Sequence, residues 1–312
     1  MTGALILVIV LGFFARRAGQ TVDTVRQSWQ PVSWVYLVLS FASFLICLFI
    51  MALLWYGILR TMGGRLPLST ALRFYGLTLL PRYVPGSVWG YAGRTLLCER
   101  EGVERRVAAG SAVVEVGLIV GSAFIVVLME FLDPGWILLV LLPAVIMLLG
   151  FLFSRLLDCP QKAVRFRRSA TWYGWGLAYL GFWLMYGASS WLVASSVSPK
   201  VDTGHVLAIT VRSTAAWLAG FLAIVVPGGL GVREGVFALI LTPIVGPAGG
   251  VFIPLLARLT GMLAELVFFL TSILFFRGRT GGDALQSLQD PPGSHREAGA
   301  SISSPIPDTP ED

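Results

Sequence analysis

Groups that build reactive centres are scarce in this chain. It has two histidines and three cysteines in 312 residues. His205 and His295 are far apart, which leaves no histidine-based metal or catalytic cluster. Cys47, Cys98 and Cys159 are scattered without a CxxC pair, so neither a disulfide framework nor a thiolate metal site is expected. The sequence also lacks a DxD, an HExxH, a Ser-His-Asp arrangement and a Walker loop. No cofactor, no metal and no ATP-driven step is therefore expected. Charge is thin as well: 13% of residues are charged against 56% hydrophobic, with a mean hydropathy of +0.78. That is too apolar for a soluble domain, and the apolar residues come in runs long enough to span a bilayer. The net charge of +6 reflects loop arginines that orient the chain and calls for no nucleic acid.

What is present is a series of apolar runs. Residues 1–14 are short for a crossing, which needs about 20 residues, and lack the basic start and cleavage site of a signal peptide. Residues 33–59 read as a crossing bracketed by Trp34, Trp55 and Tyr56, rings that favour the headgroup level. Residues 66–80 form a shorter apolar helix, and the two prolines and three glycines within 81–94 end any helix there. Crossings are expected over 107–132, 136–153, 171–195 and 251–276, with apolar arms over 206–226 and 236–245. The loop 154–170, with Arg155, Lys162, Arg165, Arg167 and Arg168 against Asp158, reads as cytoplasmic, and Arg277 and Arg279 place the last helix end on the same side. Residues 281–312 are rich in Pro, Gly, Ser and acids, and read as a disordered cytoplasmic tail after a membrane domain of residues 1–280.

The stretch from Ile224 to Gly235 interrupts this pattern. Pro227 breaks a helix, Gly228, Gly229 and Gly231 permit unusual backbone angles, and Arg233 and Glu234 set opposite charges beside the break. Such a feature is costly in hydrocarbon unless protein or a wet cavity surrounds it; the alternative is a loop at the membrane surface. A weaker copy lies at Pro85-Gly86, flanked by Arg82, Gly90 and Arg94. Each break precedes a crossing that carries an acid, Glu115 in the first half and Glu265 in the second. With 154–170 and Arg277 inside, residues 66–97 leave and return on the cytoplasmic side and residues 206–245 on the outer side. The expected fold is thus all-α and polytopic, with inverted repeats over 33–153 and 171–277 and two re-entrant, Pro-Gly-broken elements. Half-helix termini and arginines there suit an anionic headgroup. The candidate binding residues are Arg82, Pro85, Gly86, Gly90, Arg94, Glu115, Arg212, Pro227, Gly228, Gly229, Gly231, Arg233, Glu234, Arg258 and Glu265. Bland alternatives stand beside them. Arg258 and Glu265 could form a structural ion pair, Arg212 could snorkel to the surface, and Arg82 and Arg94 could be ordinary cytoplasmic-side charges.

The run Pro227-Gly228-Gly229-Leu230-Gly231-Val232-Arg233-Glu234-Gly235 resembles the second signature of the membrane region of lysylphosphatidylglycerol synthases, a family with many stand-alone, flippase-like members. Pro85-Gly86, Gly90 and Arg94 resemble its first signature, except that Tyr91 stands where many relatives carry an acid. The resemblance extends over roughly residues 33–276. It implies a lipid translocase in a bacterial or archaeal cell membrane. The cargo would be an anionic or aminoacylated phospholipid, or a polyprenyl-phosphate-linked lipid. It implies no synthase activity, since no soluble transferase part follows. Two other readings stay open: a membrane-embedded transferase acting on a lipid phosphate, with Glu234 as its one plausible base, and a non-catalytic accessory subunit. Membrane lipids are the expected partners, with a homo-oligomer left open.

Overall fold

A computed structural model describes residues 32–83, 88–130, 169–223 and 226–275. The expected segment 1–14, the crossing 136–153, the basic loop up to residue 168, Pro85, Gly86 and the tail 281–312 lie outside the described residues, as does the side chain of Arg82. The described residues form helices and no strands. They are α1 (Trp34–Thr61), α2 (Leu68–Leu77), α3 (Trp89–Arg100), α4 (Arg105–Leu128), α5 (Ser169–Val197), α6 (Val206–Leu222) and α7 (Val232–Leu274). Short 3-10 turns cover Leu80–Tyr83, Thr203–His205 and Pro227–Gly229. Five of the described segments are long and apolar enough to cross a membrane.

The longest element is not straight. In a straight helix Thr242 and Gly250 would be about 12 Å apart. Instead a Cβ on Gly250 would come within 2.1 Å of Thr242 Oγ1, so the chain folds back between them. The bend is Gly246, at φ 80 and ψ 173, just before Pro247. A residue preceding proline is pushed out of the helical region, and a positive φ suits only glycine there. α7 is therefore two arms, in keeping with the separate runs 236–245 and 251–276.

α6 and the first arm of α7 lie side by side in opposite directions. A Cβ on Gly220 would sit 2.9 Å from Arg233 Cβ near the break, and Arg212 Nε donates to Ile240 O at 3.1 Å further along. The turn between them needs Gly229, whose φ is 64 and whose added Cβ would strike Gly220 O at 2.6 Å. α2 and α3 form a second closely packed pair. A Cβ on Gly90 would meet Thr78 O at 2.7 Å, and the Arg94 guanidinium lies over the Tyr75 ring. The expected end of the preceding helix holds, since α2 stops at Leu77, but a new helix begins within 81–94. α3 starts at Trp89, and Gly90 lies inside it, where it allows close backbone approach rather than a break.

Around these two hairpins the long helices pack through small and hydroxyl side chains, which let apolar helices approach closely. Ser40 Oγ donates to Ser189 O at 2.9 Å and Ser189 Oγ to Ser43 Oγ at 2.7 Å, tying α1 to α5. Buried Trp183 of α5 donates to Ile119 O and Ser122 Oγ of α4 at 3.2 and 3.0 Å. The two breaks touch each other: Tyr83 packs against Gly228 closely enough that a Cβ there would lie 2.9 Å from the ring.

Candidate functional site

A cavity of about 190 Å³ opens where the hairpins meet. Gly90 and Arg94 reach it from α3, Gly228 and Gly229 from the second break, and Arg233, Arg258 and Glu265 from α7. Aromatic side chains line it as well: Phe44 of α1, Phe182 and Tyr186 of α5, and Trp217 and Phe221 of α6. Several of these rings contact one another. Phe44 meets Tyr186 edge-on with centroids 5.7 Å apart, and Trp217 stacks on Phe221 at 5.1 Å. The cavity thus presents both guanidiniums and apolar rings, the two kinds of group an amphiphile requires.

Each charge has a definite setting. Arg94 and Glu115 form a fully buried ion pair, with Tyr75 Oη donating to the other carboxylate oxygen at 3.0 Å. The Arg94 guanidinium lies 4.5 Å from the Trp55 ring centre and 4.6 Å from that of Tyr75. Glu234 occupies the first turn of α7. Its carboxylate accepts from the Gly231 N–H at 2.5 Å, which satisfies one of the free donors of the helix start. Arg258 Nε lies 3.3 Å from Glu234 Oε1, although the two atoms are not aligned as a hydrogen bond. Arg258 Nη2 also donates to Gly228 O at 3.2 Å, and its guanidinium lies over the Tyr83 ring at 5.5 Å. Tyr83 Oη donates to Glu265 Oε2 at 2.6 Å. Arg258 and Glu265 thus hold the two breaks against α7.

Arg233 differs from the others. Its Nη2 donates to Tyr186 Oη, and its guanidinium lies 5.5 Å from that ring's centre. It makes no ion pair with any described residue. A guanidinium that faces a cavity in an apolar interior and is held in no direct ion pair can offer its remaining donors to an anion.

The structure brings together most of the residues singled out from the sequence. Gly90, Arg94, Gly228, Gly229, Arg233, Arg258 and Glu265 line the cavity, and Glu115 and Glu234 stand behind its arginines. Pro227 and Gly231 shape the break. Arg258 pairs with Glu234 and not with Glu265, because the fold-back of α7 carries its second arm against the start of its first. Arg212 is placed elsewhere: its Nη2 lies 3.0 Å from Glu130 Oε1 at the end of α4. Tyrosines 75, 83 and 186 were missed in the sequence, since a tyrosine in an apolar run reads as membrane-boundary or core. The one available signal was Tyr83's position between Pro81 and Pro85.

The family described as lysylphosphatidylglycerol synthase TM region matches residues 1–268. No curated protein matches the chain.

Proposed function

The chain belongs to the lysylphosphatidylglycerol synthase TM region family, and from that premise we propose that it is a lipid translocase. It would carry a lipid with an anionic headgroup between bilayer leaflets. Membership and the apolar helices make it an integral membrane protein of lipid metabolism; the transport step is our reading. The observation that carries it is Arg233, a cation in no ion pair with a described residue, in a cavity also lined by aromatic rings. In this reading the two hairpins re-enter the membrane from opposite faces and meet near its middle, as in transporters built from inverted repeats. The phosphate meets Arg233 and the glycine backbone, while the tails stay in hydrocarbon. Such a path is needed, because an unpaired headgroup charge is excluded from about 30 Å of hydrocarbon.

Leaflet exchange of a tail-labelled anionic phospholipid in proteoliposomes tests this. Wild-type protein should raise exchange well above empty vesicles, and Arg233→Ala should lower that gain by about 10-fold or more, as loss of a buried charge-assisted contact implies. A new lipid product detected by mass spectrometry would instead identify a transferase. No exchange and no product would leave an accessory role.

A further inference from the structure

Resting on that reading, we infer that Tyr186 is a second headgroup contact: its hydroxyl accepts a hydrogen bond from Arg233 and donates its own proton to a phosphate oxygen of the lipid. Tyr186 stands in the middle of α5, an apolar crossing, and it lines the cavity. A buried tyrosine hydroxyl ordinarily finds a hydrogen-bond partner, and it has one proton to give besides the lone pairs that accept. Here the hydroxyl accepts from Arg233 Nη2, and among the described residues nothing accepts its proton. The Arg233 side chain in turn donates to Tyr186 and to no other described group. Two residues with donors still to give therefore stand side by side on one cavity wall.

Both are held in place by packing. The Tyr186 ring lies edge-on to Phe44 with centroids 5.7 Å apart, edge-on to Trp183 at 5.4 Å, and stacked on Phe182 at 6.2 Å. Arg233 leaves the first turn of α7 where Gly220 of α6 makes room for it, since a Cβ on Gly220 would lie 2.9 Å from its own Cβ. Donors fixed in this way bind an oxygen without first having to be ordered. A hydroxyl that accepts from a guanidinium is also polarised, which strengthens the bond it donates. The Tyr186 contact comes from a neutral group, so it does not depend on how the charges around the cavity balance. It needs only an anionic oxygen within reach of the Arg233 site.

Binding of tail-labelled phosphatidylglycerol to the full-length protein in detergent tests this, with leaflet exchange in vesicles measured separately. Tyr186→Phe keeps the ring and its packing and removes the hydroxyl. It should bind about 10-fold more weakly while staying folded, as loss of a hydrogen bond to a charged group implies. Native affinity in this variant overturns the inference. A second replacement separates contact from support of Arg233. The analogue of tyrosine fluorinated beside its hydroxyl donates more strongly and accepts more weakly. With that analogue in place of Tyr186, in mildly acidic medium where its phenol stays protonated, the lipid should bind more tightly than to the native protein. Unchanged or weaker binding would make Tyr186 a support for Arg233 and overturn the contact. This second arm also decides the matter if Tyr186→Phe does not fold. Inorganic phosphate, a free source of the same oxygens, should leave the lipid bound, and full displacement overturns the lipid as ligand. Weaker binding in Tyr186→Phe together with no leaflet exchange by the native protein sinks translocation and leaves the contact standing. Native exchange with native affinity in Tyr186→Phe does the reverse.

Discussion

Arg94 and Arg233 are both guanidiniums in one cavity, and their surroundings set them opposite tasks. Arg94 is 4% exposed, paired with Glu115 and held between aromatic rings. Such a pair has already spent its charge on its partner, so removing one member leaves the other buried alone. Arg94→Ala or Glu115→Ala should each cost about 3–5 kcal/mol. The apolar double replacement Arg94→Met with Glu115→Leu should cost less than either. Thermal unfolding of the detergent-solubilised variants checks this, and additive losses would show that the two do not act as a pair. Arg233 is in direct ion-pair contact with no described carboxylate. Arg233→Gln should change stability by no more than about 1 kcal/mol, or raise it, while ligand binding is lost. A large fall in unfolding temperature for Arg233→Gln would make Arg233 structural.

At the scale of elements, the second arm of α7 separates two media. Arg258, Gly261 and Glu265, at intervals of three and four residues, share the face toward the cavity. Leu259, Leu263, Leu266, Leu270 and Leu274 are exposed on other faces, where hydrocarbon would meet them. The break that feeds α7 is held by contact as well as by backbone angle. At Gly229 the φ of 64 and the Gly220 carbonyl 2.6 Å from an added Cβ act together. At Gly63 the φ is 94 and nothing lies within 4 Å. Gly63→Ala should therefore cost about 1–2 kcal/mol from backbone strain alone, and Gly229→Ala more. Equal losses in unfolding free energy would remove the packing argument. Much of this was legible beforehand. Pro227, the glycines after it and the Arg233-Glu234 step marked the break, and the apolar runs marked the arms on either side. What spacing could not give was partners. Arg258 and Glu265 are two turns apart on one helix and invite pairing. Yet Glu234 and Arg258, which would be about 36 Å apart in a straight helix, are the ones brought to 3.3 Å. Only the fold-back at Gly246 does that. Its glycine-proline step was read as a gap between two runs, not as a turn that returns one onto the other. The sequence left Arg212 open between the cavity and the surface for the same kind of reason, since its partner Glu130 meets it across helices.

Among the described residues, both hairpins, α1, α4, α5 and the second arm of α7 all contribute walls to the cavity. That arrangement lets function be separated from folding at a single position. Gly261 lines the cavity from within a regular helix, and a Cβ added there would meet nothing within 4 Å. A side chain at this point enters empty space and displaces whatever occupies it. Replacing a mid-helix glycine also favours the helix by about 0.5–1 kcal/mol. Gly261→Ala should therefore fold at least as stably as the native chain and slow lipid exchange only slightly. Gly261→Leu should remain folded, because its bulk projects into the cavity and not into a packed interface, and it should lower exchange by about 10-fold or more by excluding the headgroup. Unfolding temperature and exchange rate measured on the same preparations separate the two effects. If Gly261→Leu translocates at the native rate, the lipid passes somewhere other than this cavity, and the charges gathered around it serve the fold.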